Sequence, residues 1–70
     1  IKGVEVTALF KEESVGHYRI SMRSRADVDV SAVAGMFGGG GHSRAAGCRQ
    51  DGSLEEVRNR IVAAIEQVLP

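Results

Sequence analysis

The residues best equipped for chemistry sit in the middle of the chain. Between residues 17 and 49, Arg19, Arg23, Arg25, Arg44 and Arg49 are opposed only by Asp27 and Asp29, a net of +3, and the same stretch holds both histidines, His17 and His42. The flanks are acidic. Residues 1–16 carry Lys2 and Lys11 against Glu5, Glu12 and Glu13, a net of −1, while residues 50–70 carry Arg58 and Arg60 against Asp51, Glu55, Glu56 and Glu66, a net of −2. A formal charge of zero therefore hides a basic centre whose cations are all arginine. A guanidinium can grip a phosphate through two parallel hydrogen bonds.

Four consecutive glycines, Gly38, Gly39, Gly40 and Gly41, fall in the same segment. Glycine loses more backbone entropy on folding than any other residue, so such a run has to serve something. It can act as a flexible connection or tight turn. It can also let bare backbone approach a ligand, with N–H groups that hydrogen-bond phosphate or base. The flanks favour the second use, because the run leads into His42, Ser43 and Arg44 and then the small Ala45, Ala46 and Gly47. Neither the P-loop nor the dinucleotide fingerprint fits, since both follow a strand and open a helix. Here a helical pattern precedes the run and no Gly-Lys-Ser or Gly-Lys-Thr is present. An anion site at this place has to use loop amides together with side chains.

These groups need elements to hold them. From Gly3 to Lys11 the chain alternates, with Val4, Val6, Ala8 and Phe10 on one face, as a half-buried strand does. After the polar connection from Glu12 to Gly16, alternation resumes with Tyr18, Ile20 and Met22 opposite His17, Arg19, Ser21 and Arg23. The two strands predict an antiparallel hairpin. Val30, Val33, Ala34 and Phe37 then recur at helical spacing, with Asp29 as N-cap and Gly38 as the left-handed terminator. Residues 38–44 read as a loop and Ala45 to Gln50 as a third strand. Ser53 and Glu56 form a capping box ahead of the stripe Leu54, Val57, Ile61, Ile65 and Val68. The order β-β-α-β-α predicts an α+β two-layer sandwich, a small mixed sheet with both helices on one face. The other face is left to His17, Arg19, Ser21 and Arg23.

Seventy residues allow one small domain with little stability to spare for a catalytic machine of its own. A single cysteine forbids an internal disulfide, and two histidines with one cysteine cannot furnish an all-protein four-ligand zinc site. No apolar run approaches a membrane span and no basic-then-apolar leader opens the chain, so a cytoplasmic protein with no membrane partner is the expectation. The start at Ile1, already close to a strand, leads one to expect a piece of a longer protein. Three aromatic residues, Phe10, Tyr18 and Phe37, are too few for a platform of stacked bases and fit the core better. Cys48 reads as a small buried strand residue, and His17 and Arg44 as solvated positions.

The run Gly38-Gly39-Gly40-Gly41-His42, followed two residues later by Ala45-Ala46-Gly47, resembles the signature of the DHH-associated domain, the C-terminal substrate-binding half of DHH phosphoesterases. Ser21-Met22-Arg23-Ser24 and Val28-Asp29-Val30 are similar to the segments that precede that signature in the nano-RNase and pAp phosphatase branch. The resemblance covers essentially the whole chain. It implies a parent enzyme that shortens small oligonucleotides or dephosphorylates pAp, with a manganese-type dinuclear centre on an N-terminal DHH domain. That domain is the implied partner, a homodimer of the full-length protein is a further expectation, and no cofactor is expected on these residues. Within the chain the resemblance assigns substrate binding to Arg23, Ser24, Gly38, Gly39, Gly40, Gly41 and His42, and catalysis or metal binding to none. Longer single-stranded DNA, as in RecJ-type exonucleases, polyphosphate, or a non-catalytic protein-interaction role are the alternatives.

Overall fold

The computed structural model describes residues 5–25 and 27–69. Gly3 and Val4, read above as the start of the first strand, lie outside them. Six elements follow in the order β1 (Glu5–Ser14), β2 (His17–Arg25), α1 (Val30–Met36), β3 (Gly40–His42), β4 (Ala45–Asp51) and α2 (Leu54–Val68). The four strands form one sheet in the order β1-β2-β4-β3. All three pairings are antiparallel, so the sheet is antiparallel throughout instead of mixed.

Alternation along the strands decides the two faces. Tyr18, Ile20, Met22 and Cys48 are buried on one side of the sheet, where Val30, Val33 and Ala34 of α1 and Val57, Ile61 and Ala64 of α2 meet them. Val6, Ala8 and Phe10 of β1 pack against the margin of this core. Fully burying each large aliphatic side chain contributes about 1.5–3 kcal/mol. The opposite face keeps the polar residues and no helix.

Both helices start on their own side chains. Asp29 accepts hydrogen bonds from the backbone N–H of Ser31 (2.9 Å) and Ala32 (3.3 Å) and from the Ser31 hydroxyl. At α2 the Ser53 hydroxyl accepts from the Glu56 N–H at 3.1 Å, and the Glu56 carboxylate accepts from the Ser53 N–H at 2.9 Å. These are the orphan donors that a helix start leaves open. Helix α1 ends where the glycines begin. With Gly38 at φ +78°, its N–H donates to Gly35 and the Gly39 N–H donates to Ala34, the paired bonds of a Schellman motif.

The hairpin and the glycine segment differ from the sequence expectation. Pairing of β1 with β2 runs on to Ser14, past the last alternating residue, because backbone ladder bonds need no apolar side chains. A two-residue turn, Val15-Gly16, closes it, with Gly16 at φ +76°. Gly40–His42 is a short edge strand on β4 and not wholly loop. Glycine carries no side chain to alternate and disfavours strands on propensity, which is why the pattern there is silent.

The four glycines are not equivalent. A Cβ on Gly39 would lie 2.2 Å from the Gly47 carbonyl oxygen, and one on Gly41, at φ +145°, would lie 2.6 Å from backbone atoms of Ala45 and Ala46. Gly38 needs its left-handed conformation. A Cβ on Gly40 meets nothing within 4 Å. We therefore expect Gly39→Ala and Gly41→Ala each to lower stability by about 1–3 kcal/mol in urea denaturation, and Gly40→Ala to stay within about 0.5 kcal/mol of the parent. The caps give the pH dependence. Hydrogen bonds from Ser31 hold the Asp29 carboxyl below its ordinary range, and bonds from Ser53 do the same for Glu56. The unfolded chain thus takes up these protons first as the pH falls. The caps contribute fully above the ordinary carboxylate value of about 4 and are lost as the pH drops through the lower folded values. The urea midpoint at pH 3 should lie below that at pH 6.

Candidate functional site

Cross-strand register sorts the open face into rows, since residues directly opposite one another share a face. One row runs Thr7, Arg23, Ala45, His42. The next runs Leu9, Ser21, Gly47, Gly40, and the third Lys11, Arg19, Arg49. An open groove of about 540 Å³ lies along them, with Arg19, Ser21, Arg23, Gly40, Gly47 and Arg49 among its lining. In the middle row Gly40 and Gly47 face the groove without side chains, so part of its floor is bare backbone. The strand that carries Gly40 is a sheet edge, where every second N–H and C=O has no ladder partner.

Arg23 stands on β2, exposed, and has no hydrogen-bond or ion-pair partner among the described residues. His42 occupies the other end of the same row, two strand spacings or about 10 Å away, with only Ala45 between. It is exposed and outside the groove lining. Gly38, Gly39, Gly40 and Gly41 all border the groove, but the first two give their N–H groups to the end of α1. The structure thus brings Arg23 on the inner strand β2 and the glycines and His42 at the β3 edge onto one stretch of the open face.

Ser24 is placed elsewhere. It alternates onto the helix-bearing side, where its hydroxyl donates to the carbonyl of Val28 at 2.6 Å and lies 3.2 Å from that of Ser43. Its backbone N–H donates to the Arg44 carbonyl, and the Val30 N–H to that of Ser43. The turn between β3 and β4 is therefore pinned to β2 and to the start of α1, with Ser24 as the rivet. This role depends on the distant Ser43-Arg44 turn.

The remaining candidates lie outside the groove or in the core. His17 Nδ1 is 2.6 Å from Asp51 Oδ1 at the far end of β2. Arg44 borders a smaller cleft of about 200 Å³ with Asp27, Asp29 and Ser43. Burial pushes the Cys48 thiol up, the opposite of what a reactive thiolate needs. Among the described residues no three His, Cys, Asp or Glu side chains gather as a metal site. The donor set does not fit a metal centre, and the groove offers guanidinium, hydroxyl and backbone amide donors for an anion. Small residues at 45–47 are readable from sequence as room for a ligand or for the first helix, and Gly47 does line the groove; Arg49 is not readable as a groove residue, because its place follows from how β4 pairs with β2. Arg19 and Ser21 were readable as open-face residues from alternation alone.

The model of the DHHA1 domain family matches residues 1–70. The chain belongs to the DHHA1 domain family. Over 36 residues this DHHA1 domain is 53% identical to the oligoribonuclease NrnB of Bacillus subtilis (strain 168), covering 50% of the chain and 9% of that relative. Over 47 residues it is 45% identical to a Streptococcus mutans serotype c protein named "Probable bifunctional oligoribonuclease and PAP phosphatase NrnA", covering 67% of the chain and 15% of that relative. The DHHA1 domain thus spans a small part of either relative's length. No helix among its described residues is long and apolar enough to cross a membrane.

The pinned turn gives a direct test of Ser24. Ser24→Ala should lower DHHA1 stability by about 1–2 kcal/mol in urea titrations, because it leaves a half-buried carbonyl without its donor. Any change in ligand affinity at saturating folded fraction should remain within about two-fold.

Proposed function

We propose that this DHHA1 domain holds the phosphate and nucleoside end of a short oligonucleotide or of pAp for a phosphoesterase. Its catalytic half, on this reading, is an N-terminal DHH domain. The observation that carries the proposal is Arg23, an arginine without a protein partner among the described residues, in one row with His42 and beside the bare backbone of Gly40 and Gly47. The names of the two relatives support the choice of substrate class.

Each group has a task that its chemistry suits. Arg23 grips two phosphate oxygens through parallel charge-assisted hydrogen bonds, and its fixed charge keeps that grip across the physiological pH range. Ser21, next along the same face, supplies a hydroxyl that donates or accepts. Gly40 and Gly47 let a sugar or base lie against the sheet where any larger residue would lift it away. His42 reaches the ligand from the edge and, when neutral, offers one donor and one acceptor nitrogen. On this reading these residues hold and orient the ligand, with guanidinium, hydroxyl and backbone donors facing it. On the same reading a divalent metal of the manganese type, held by the DHH half and not by these residues, would supply the hydrolytic chemistry. A cytoplasmic location and a homodimer of the full-length protein go with this reading.

Titration of the 70-residue chain with pAp and with a two-nucleotide RNA, followed by amide NMR shifts, tests it. Arg23→Ala should weaken both ligands about ten-fold, as the loss of a hydrogen-bonded charge contact does. The shifted amides should cluster at Gly38–His42 and around Gly47. Unchanged affinity and unchanged shifts in both Arg23→Ala and His42→Ala would sink the assignment.

A further inference from the structure

The open face carries a second basic feature away from the glycine edge. Lys11, Arg19 and Arg49 stand directly opposite one another on β1, β2 and β4, all exposed. Like charges placed directly across a sheet repel, so the row destabilises the fold unless something neutralises it. Part of that neutralisation is built in. The β1 register shifts between Glu12 and Ser14, which leaves Glu13 as the inserted residue, and its carboxylate accepts a hydrogen bond from Arg49 Nε at 3.0 Å. That bond, with the positive charges of Arg49, Arg19 and Lys11 and against some desolvation, holds the Glu13 carboxyl below the usual carboxylate range. One carboxylate among three cations leaves a net of +2. Arg19 has no hydrogen-bond or ion-pair partner among the described residues.

The groove joins the two basic positions. Arg19 and Arg49 line the same 540 Å³ space as Arg23 and Gly40. Arg19 lies four residues from Arg23 on one extended strand, roughly 13 Å along the sheet. Between them stand Ser21 and Gly47, and the one bulky side chain of that row, Leu9 on β1, does not line the groove.

We propose that Lys11, Arg19 and Arg49 form a second anion subsite, which takes a backbone phosphate of an oligonucleotide whose end is held at Arg23. The groove then favours a chain of several nucleotides over a ligand with a single phosphodiester. The proposal rests on the reading of Arg23 as a phosphate site. Glu13 is the subsite's own counter-ion and competes with the incoming phosphate for Arg49.

Fluorescence anisotropy with labelled RNAs of two and of five nucleotides separates the two readings. Arg19→Ala removes an exposed side chain and should leave the circular dichroism spectrum unchanged. It should weaken the five-nucleotide RNA about ten-fold, lower the magnitude of its salt slope by about 0.7, and move the two-nucleotide RNA less than two-fold. Glu13→Gln should act in the opposite direction and tighten the longer RNA. Equal effects of Arg19→Ala on both lengths, or none on either, would overturn the second subsite while an Arg23→Ala loss on both lengths leaves the first standing. Loss of neither RNA in Arg23→Ala would remove the reading underneath. Binding of linear polyphosphate that depends on Arg19, with RNA binding that does not, would overturn the assignment to a nucleic-acid backbone.

Discussion

No side chain fits at Gly39 or Gly41, where the glycine run lies against β4, and the rest of the site depends on that contact. Gly39 lies against the carbonyl of Gly47 and Gly41 against Ala45 and Ala46 at distances that only hydrogen atoms can fill. The close approach turns the exit of α1 directly into an edge strand. It also fixes where the groove ends and sets Gly40 opposite Gly47. The cost is conformational entropy, which glycine pays more heavily than other residues. The fold offsets it by pinning both ends of the segment, through the Schellman bonds to Ala34 and Gly35 and through the turn carbonyls held by Ser24 and Val30.

A two-residue period links core and groove. Ile20 and Met22 are fully buried between sheet and helices, and that burial obliges Arg19, Ser21 and Arg23 to point the other way. A slip of one residue in β2 would carry the arginines into the core and the aliphatic residues into water. Charge on the open face is thus held in place by apolar burial on the closed one.

Much of this was legible in the sequence, and the reasons are physical. Strong alternation in β2 identifies Arg23 and Ser21 as open-face neighbours, and the capping box announces α2 from two residues, Ser53 and Glu56. The family signature in the glycine segment is equally plain. What stayed hidden is non-local. The sequence pattern does not say that β4 lies between β2 and β3, so Arg49 could not be placed beside Arg19, nor Gly47 beside Gly40. Strand β3 was hidden because two of its three residues, Gly40 and Gly41, carry no side-chain pattern. Ser24 reads as a free hydroxyl until the distant carbonyl of Ser43 is brought beside it.

The four adjacent glycines divide their labour in a way that bears on how such a domain can change over time. Gly38, Gly39 and Gly41 are held by backbone conformation or by lack of room, so drift at those positions is closed to a chain that must fold. At Gly40 nothing in the protein lies within 4 Å of where a Cβ would stand. Together with exposed positions such as Arg19 and Arg23, Gly40 forms a small set of sites where, on the proposed function, ligand preference can be rewritten without touching the scaffold. A lineage could therefore explore new substrates through a few surface substitutions while its glycine signature stays intact, and that signature by itself would report the fold and not the ligand.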